Sequence, residues 1–216
     1  QPHAHQQRTG QKRQPPAPFT GNLAADGQAP RISQYAHKLN KSAERLTEMI
    51  DSILDYSSAG SPDLCEAVDL NETIKSIKED LEIKILEKSA EIEHSKMPKV
   101  KGSKILFHQL FYNLIANSLK FSRDNCDSRI KIQCSTDEGN LRITVSDNGI
   151  GIAPENSLKI FNAFERLHSK DQYEGTGLGL SLCKKIVERH NGQLKNINSE
   201  SSGAVFEMIF PAAILY

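Results

Sequence analysis

Two runs, RIKIQCS at 129–135 and NLRITVS at 140–146, alternate apolar and polar residues with period two around the turn DEGN. Side chains of a strand point alternately to opposite faces, so this pattern predicts a hairpin with one face buried. A buried face needs a cover, and the flanking segments supply it with apolar residues at helical spacing. One amphipathic helix opens at Asn71 and Glu72 and carries Ile74, Ile77, Leu81 and Ile85. A second, over 103–121, carries Ile105, Leu106, Leu110, Leu114 and Leu119, and a third spans 178–190. A short apolar stretch at 64–70 precedes them, and a last hairpin, QLKNINS and AVFEMIF joined through SSG, closes the chain. The order strand, helix, strand, helix, two strands, helix, two strands predicts an α/β sandwich, a mixed sheet with helices on one face.

The upstream part differs. Five of the nine prolines and six glutamines fall in residues 1–30, where Pro15, Pro16 and Pro18 remove backbone donors and obstruct a continuous helix. From Ile32 the apolar residues Ala36, Leu39, Ala43, Leu46, Ile50 and Ile53 follow at alternating spacings of 4 and 3. That is a heptad seam, suited to a bundle or a dimer, with a single amphipathic helix on a globular core as the plainer alternative. SSAGSP at 57–62 ends it and marks the boundary between a segment 1–60 and a domain 61–216.

With 27 Lys plus Arg against 27 Asp plus Glu, no global field attracts a polyanion, which argues against a nucleic-acid binder. Cys65, Cys126, Cys134 and Cys183 form no CxxC pair and read as reduced thiols of a cytoplasmic protein. The longest apolar stretch, ILFHQLFYNLI, is too short and too interrupted to span a bilayer. A chain that starts without Met is expected to belong to a longer protein, whose sensor or membrane segments would lie outside it.

Three motifs suggest chemistry. In NLIANSLKFS, Asn113, Asn117 and Lys120 share one helix face and suit either a hydrated divalent cation with bridged phosphates or a solvated polar surface. In DNGIGI, placed after a strand, Asp147 can accept a hydrogen bond from an exocyclic amino group such as that of adenine. Gly149 and Gly151 there let the backbone approach a flat ring. In GTGLGL, residues 175–180, alternate glycines open a helix and expose N–H groups to an anion. It matches neither GxGxxG nor GxxxxGK[ST].

In this order, and with IFNAFERL between the last two, the motifs resemble the boxes of the histidine kinase catalytic domain of two-component signalling, within the Bergerat-fold ATPases. AERLTEMIDSILDYS resembles the second helix of the dimerisation and phosphotransfer domain, so the likeness runs from about residue 31 to the C-terminus. It implies a Bergerat-type α/β sandwich preceded by a helical-hairpin dimerisation segment, binding ATP with Mg²⁺. Asn117 would coordinate the Mg²⁺, with Asn113 and Lys120 close to the phosphates. Asp147 would bind the adenine amino group beside Gly149, Gly151 and Ile152. Phe161 and Phe164 would anchor a lid on which Arg166 and Lys170 reach the γ-phosphate, while Gly175, Thr176, Gly177, Leu178, Gly179 and Leu180 close over the phosphates.

The activity implied is autophosphorylation of a histidine followed by transfer to an aspartate of a response-regulator receiver domain, in a homodimer joined through the heptad helix. Hydrolytic members of the superfamily place a glutamate where this chain has Asn113, four residues before Asn117. The phosphoacceptor region reads AHQQRTGQ: His5, Arg8 and Thr9 fall in register, whereas Gln6, Gly10 and Gln11 replace the expected acid, proline and leucine. No other histidine (His3, His37, His94, His108, His168 or His190) has a better context. A kinase-inactive nucleotide-binding dimerisation module and a Bergerat-fold ATPase are the alternatives.

Overall fold

A computed structural model describes residues 66–124, 126–137, 139–167, 173, 176–197 and 203–216. The heptad segment, the 57–62 boundary, His5, Lys170 and Gly175 lie outside the described residues. Strand β1 (Glu66–Asp69) leads into helices α1 (Leu70–Asp80) and α2 (Glu82–Glu87), then strands β2 (Glu91–His94) and β3 (Lys99–Gly102). Helix α3 (Lys104–Lys120), the hairpin β4 (Arg129–Asp137) and β5 (Asn140–Asp147), helix α4 (Gly179–Arg189) and the pair β6 (Gln193–Asn196) and β7 (Val205–Pro211) follow.

The main sheet has the order β2-β4-β5-β7-β6, with β2 parallel to β4 and the other neighbours antiparallel. Residues paired across strands share a face, and the pairs Ile132↔Val145, Val145↔Phe206, Ile143↔Met208 and Leu141↔Phe210 line one side. They join Phe107, Phe111, Leu114 and Ile115 of α3, all fully buried, in one core with α1 and α4. Each such side chain contributes roughly 1.5–3 kcal/mol through burial. The opposite face is polar, with Lys131 near Glu93 at 3.7 Å and Arg142 bonded to Glu207. This is the expected mixed sheet with helices on one face.

Local chemistry accounts for the boundaries. Ser103 caps α3 by accepting from the Leu106 N–H, and Lys120 ends it in favourable register with the helix dipole. Asp69 caps α1 by accepting from the N–H groups of Asn71 and Glu72. The helix expected through Ile85 is interrupted at Leu81, which is buried at φ −102°, ψ 10° and separates α1 from α2. Beyond that break Ile83 and Leu86 are exposed rather than packed. Ile105 is exposed too, since the buried stripe of α3 runs through Leu106, Phe107, Leu110, Phe111 and Leu114. The single strand expected between the helices is two, because β2 joins the main sheet while β3 pairs with β1 in a separate ribbon. Among the described residues no helix is long and apolar enough to cross a membrane, and Cys126, Cys134 and Cys183 are free thiols.

Candidate functional site

The inward series of β5, Leu141, Ile143 and Val145, continues by strand parity to Asp147 at the strand end. Its carboxylate therefore leaves the sheet on the side covered by helices. Oδ1 accepts from the N–H of Gly149 at 2.9 Å and of Ala204 at 3.0 Å, and Oδ2 accepts from the Ser118 hydroxyl at 3.0 Å. Two glycines make this arrangement possible. A Cβ on Gly203, at φ +132°, would lie 1.8 Å from the Asp147 carbonyl oxygen, and one on Gly149 would lie 2.4 Å from that of Phe121. The same Phe121 carbonyl accepts from Ile150 N at 3.0 Å, which ties the DNGIGI turn to the end of α3.

Facing Asp147, α3 turns Asn113, Asn117 and Lys120 to the same cleft, whose volume is about 610 Å³. The Asn113 side-chain Nδ2 is buried there without a hydrogen-bond partner. Helix α4 starts beside it: a Cβ on Gly179 would come within 3.3 Å of Asn113 Oδ1, and no side chain caps that helix end. Thr176 Oγ1 instead accepts from Leu178 N at 3.3 Å, one step outside the helix. Gly177, at φ +76°, gives its carbonyl to Phe164 N at 3.0 Å, and a Cβ on it would press on the Glu165 carbonyl at 2.9 Å. The Arg166 guanidinium donates to the Tyr173 carbonyl. The Tyr173 ring packs on Phe121 at 4.8 Å, and Lys120 Nζ lies 4.6 Å from the Phe121 ring centre.

Most sequence-derived candidates thus meet in one cleft. Gly151, Ile152, Arg166, Thr176, Gly177, Gly179 and Leu180 line it as well. Four described candidates stand apart from its wall. Gly149 supports the Asp147 turn from behind, and Leu178 is buried beneath the glycine motif. Phe164 sits at φ +65° and is 59% exposed, and it joins the glycine motif through its backbone. Phe161 does pack inward, edge-on to Phe206 at 6.4 Å. Sequence reasoning missed Ser118, Gly203 and Ala204, although the SSG turn contained the glycine that a close backbone approach demands.

Among the described residues no group of three or more His, Cys, Asp or Glu could hold a metal ion. The amide oxygen of Asn117 is a hard donor of the kind Mg²⁺ accepts beside water and phosphate oxygens. The unpaired buried amide of Asn113 is likewise a fit for a phosphate oxygen. The described histidines are elsewhere: His108 pairs with Asp80 at 3.0 Å, and His94 lies on the exposed β2 edge with its Nδ1 3.0 Å from the Ser95 carbonyl. His190 is buried against Phe107 with Nδ1 at 2.8 Å from the Ile186 carbonyl. Burial pushes its pKa down.

Residues 102–214 match the family described as histidine kinase-, DNA gyrase B-, and HSP90-like ATPases. The chain is 39% identical over 164 residues to the phytochrome-like protein Cph1 of Synechocystis sp., covering 76% of this chain and 22% of that protein. It therefore spans about a fifth of the length of such curated relatives. The catalytic domain of histidine kinase ThkA superposes with a TM-score of 0.58 at 29% identity, over 68% of this chain and 95% of that one. Histidine kinase ThkA in complex with response regulator protein TrrA gives 0.64 at 26% identity, over 84% and 51%. Because the family match covers more than half of the 216 residues, the chain belongs to the histidine kinase-, DNA gyrase B-, and HSP90-like ATPases.

Proposed function

We propose that the domain binds ATP with Mg²⁺ and phosphorylates a histidine, as the catalytic part of a sensor histidine kinase that hands the phosphoryl group to an aspartate of a response regulator. The observation that carries this reading is Asn113: an amide, with no basicity to activate water, lines the same cleft as Asn117 and Asp147 with its Nδ2 buried and unpartnered. A water nucleophile needs a base at that point. A neutral imidazole brings its own lone pair and does not.

Asp147 Oδ2 accepts from the adenine amino group, while Gly151 and Ile152 admit the ring. Asn113 Nδ2, Lys120 and the uncapped N–H groups of α4 meet the phosphate oxygens, so the chain supplies positioning and charge stabilisation for a loose transition state. Arg166 and, by position, Lys170 add positive charge from the lid, and Gly175 extends the glycine motif. Asn117 would hold Mg²⁺, which when bound would supply charge neutralisation to the phosphates. His5 is the acceptor by position, and the heptad helix joins two copies. The relationship to a kinase solved with its response regulator supports a receiver domain as the partner.

Incubation with Mg²⁺ and γ-labelled ATP tests the proposal. Acid-labile, base-stable label on the protein is the expected result. Binding of ATP without label favours the kinase-inactive module, and steady phosphate release that survives replacement of every histidine favours an ATPase.

A further inference from the structure

Position 118 lies on the buried stripe of α3 between Leu114 and Leu119, where packing alone calls for a small apolar residue. The chain has a serine there, 2% exposed. A buried hydroxyl is costly unless it finds a partner. Ser122 and Ser181, also buried, find one locally by donating to the carbonyls of Leu119 and Leu178, three residues back. Ser118 does not. It reaches from helix to sheet and donates to Asp147 Oδ2, whereas the backbone N–H donors among the described residues go to Oδ1.

We infer that Ser118 is a positioning residue for purine recognition, one that fixes the plane of the Asp147 carboxylate so that Oδ2 accepts from a 6-amino group. The inference rests on the nucleotide reading above and deepens it. Oδ1 is held by two N–H donors, which act on one oxygen only and leave the carboxylate able to tilt about it. The Ser118 hydroxyl holds the second oxygen from the side of the cleft, and both residues line its wall. With one lone pair of Oδ2 occupied by Ser118, another remains for the base. An acceptor at the 6 position, as in guanine, meets a carboxylate oxygen held in place and is repelled.

The test compares ATP with purine riboside triphosphate, which lacks the 6-amino group, by equilibrium titration of wild type and of Ser118→Ala and Ser118→Cys. Wild type is expected to prefer ATP. Ser118→Ala should lose about fivefold to tenfold in ATP affinity and leave the affinity for the amino-free analogue unchanged. Ser118→Cys, isosteric but a weak donor, should fall between and guards against a packing failure in the alanine variant. In the labelling reaction KM for ATP should rise while kcat holds. If both nucleotides weaken equally, or if the preference survives in both variants, Ser118 is merely structural and the inference is overturned. A wild type that binds both nucleotides equally removes Asp147 as the reader of the amino group and this inference with it, whereas one that binds neither overturns the nucleotide reading itself.

Discussion

The two ends of the cleft are built on different terms. Around Asp147 the carboxylate already has three protein donors, and the turn that follows it is tied to Phe121 and Gly203 by contacts that admit no extra atom. Around Asn113 the amide is buried without a partner and the start of α4 lacks a side-chain cap. One end is satisfied by the fold. The other has donors left over, which an anion can satisfy. On the proposed reading the base would be met with little reorganisation, while donors for the phosphates would come from α3, α4 and the glycine motif.

This division makes graded predictions. Asn117→Ala should reduce phosphoryl transfer to protein by about 10²–10³-fold while nucleotide affinity, read by titration, falls less than in the next variant; equal loss of both would erase the distinction between the ends. Asp147→Asn should do the reverse, weakening ATP binding by about a hundredfold, because the amide places a donor where either the backbone N–H groups or the base already supplies one. Gly203→Ala should cost about 2–3 kcal/mol of stability in urea unfolding, since its Cβ collides with the Asp147 backbone. In the glycine motif, Gly177→Ala should cost about 1–2 kcal/mol, because the contact is less severe although φ is also positive. An order reversed between these two glycines would show that the glycine motif is more rigid than the Asp147 turn.

The smallest effect concerns the core behind both ends. Burial lowers the pKa of His190 from the ordinary 6.5, so the unfolded chain takes up a proton more readily than the folded one. The stability contributed by the neutral ring is present above 6.5 and declines as pH falls through that value. Urea unfolding at pH 7.5 and 5.5 should reveal this loss in wild type and a shallower one in His190→Gln, with the ATP preference over its analogue unchanged.

Much of the architecture was legible because the sheet obeys a simple alternation and α3 carries its own cap and apolar stripe. The expected segment 103–121 and the observed Lys104–Lys120 differ only at the caps. The break at Leu81 was not legible: no glycine or proline marks it, and it depends on that leucine turning into the core. Four-residue strands such as EIEH and KVKG carry too little pattern to be divided between two sheets. In the site, the motifs located Asn113, Asn117, Lys120 and Asp147, each a residue whose chemistry is visible in its type. Ser118 and Gly203 were hidden for the opposite reason. Their significance lies in Asp147, 29 and 56 positions away in the chain respectively, and no local pattern records such a meeting.

Strand parity at Asp147 has a consequence for how the protein tolerates length changes. The pleat that buries Leu141, Ile143 and Val145 also aims the carboxylate, so one ruler measures both the core and the base reader. Removing a single residue from the middle of β5 would turn the carboxylate toward solvent even if the rest of the sheet repaired itself. Adding residues at the turn around Gly139 leaves the count from Val145 to Asp147 intact, because that turn lies at the far end of the strand. Loop grafts on that hairpin should therefore be neutral to nucleotide choice, which makes it the natural place to attach a reporter.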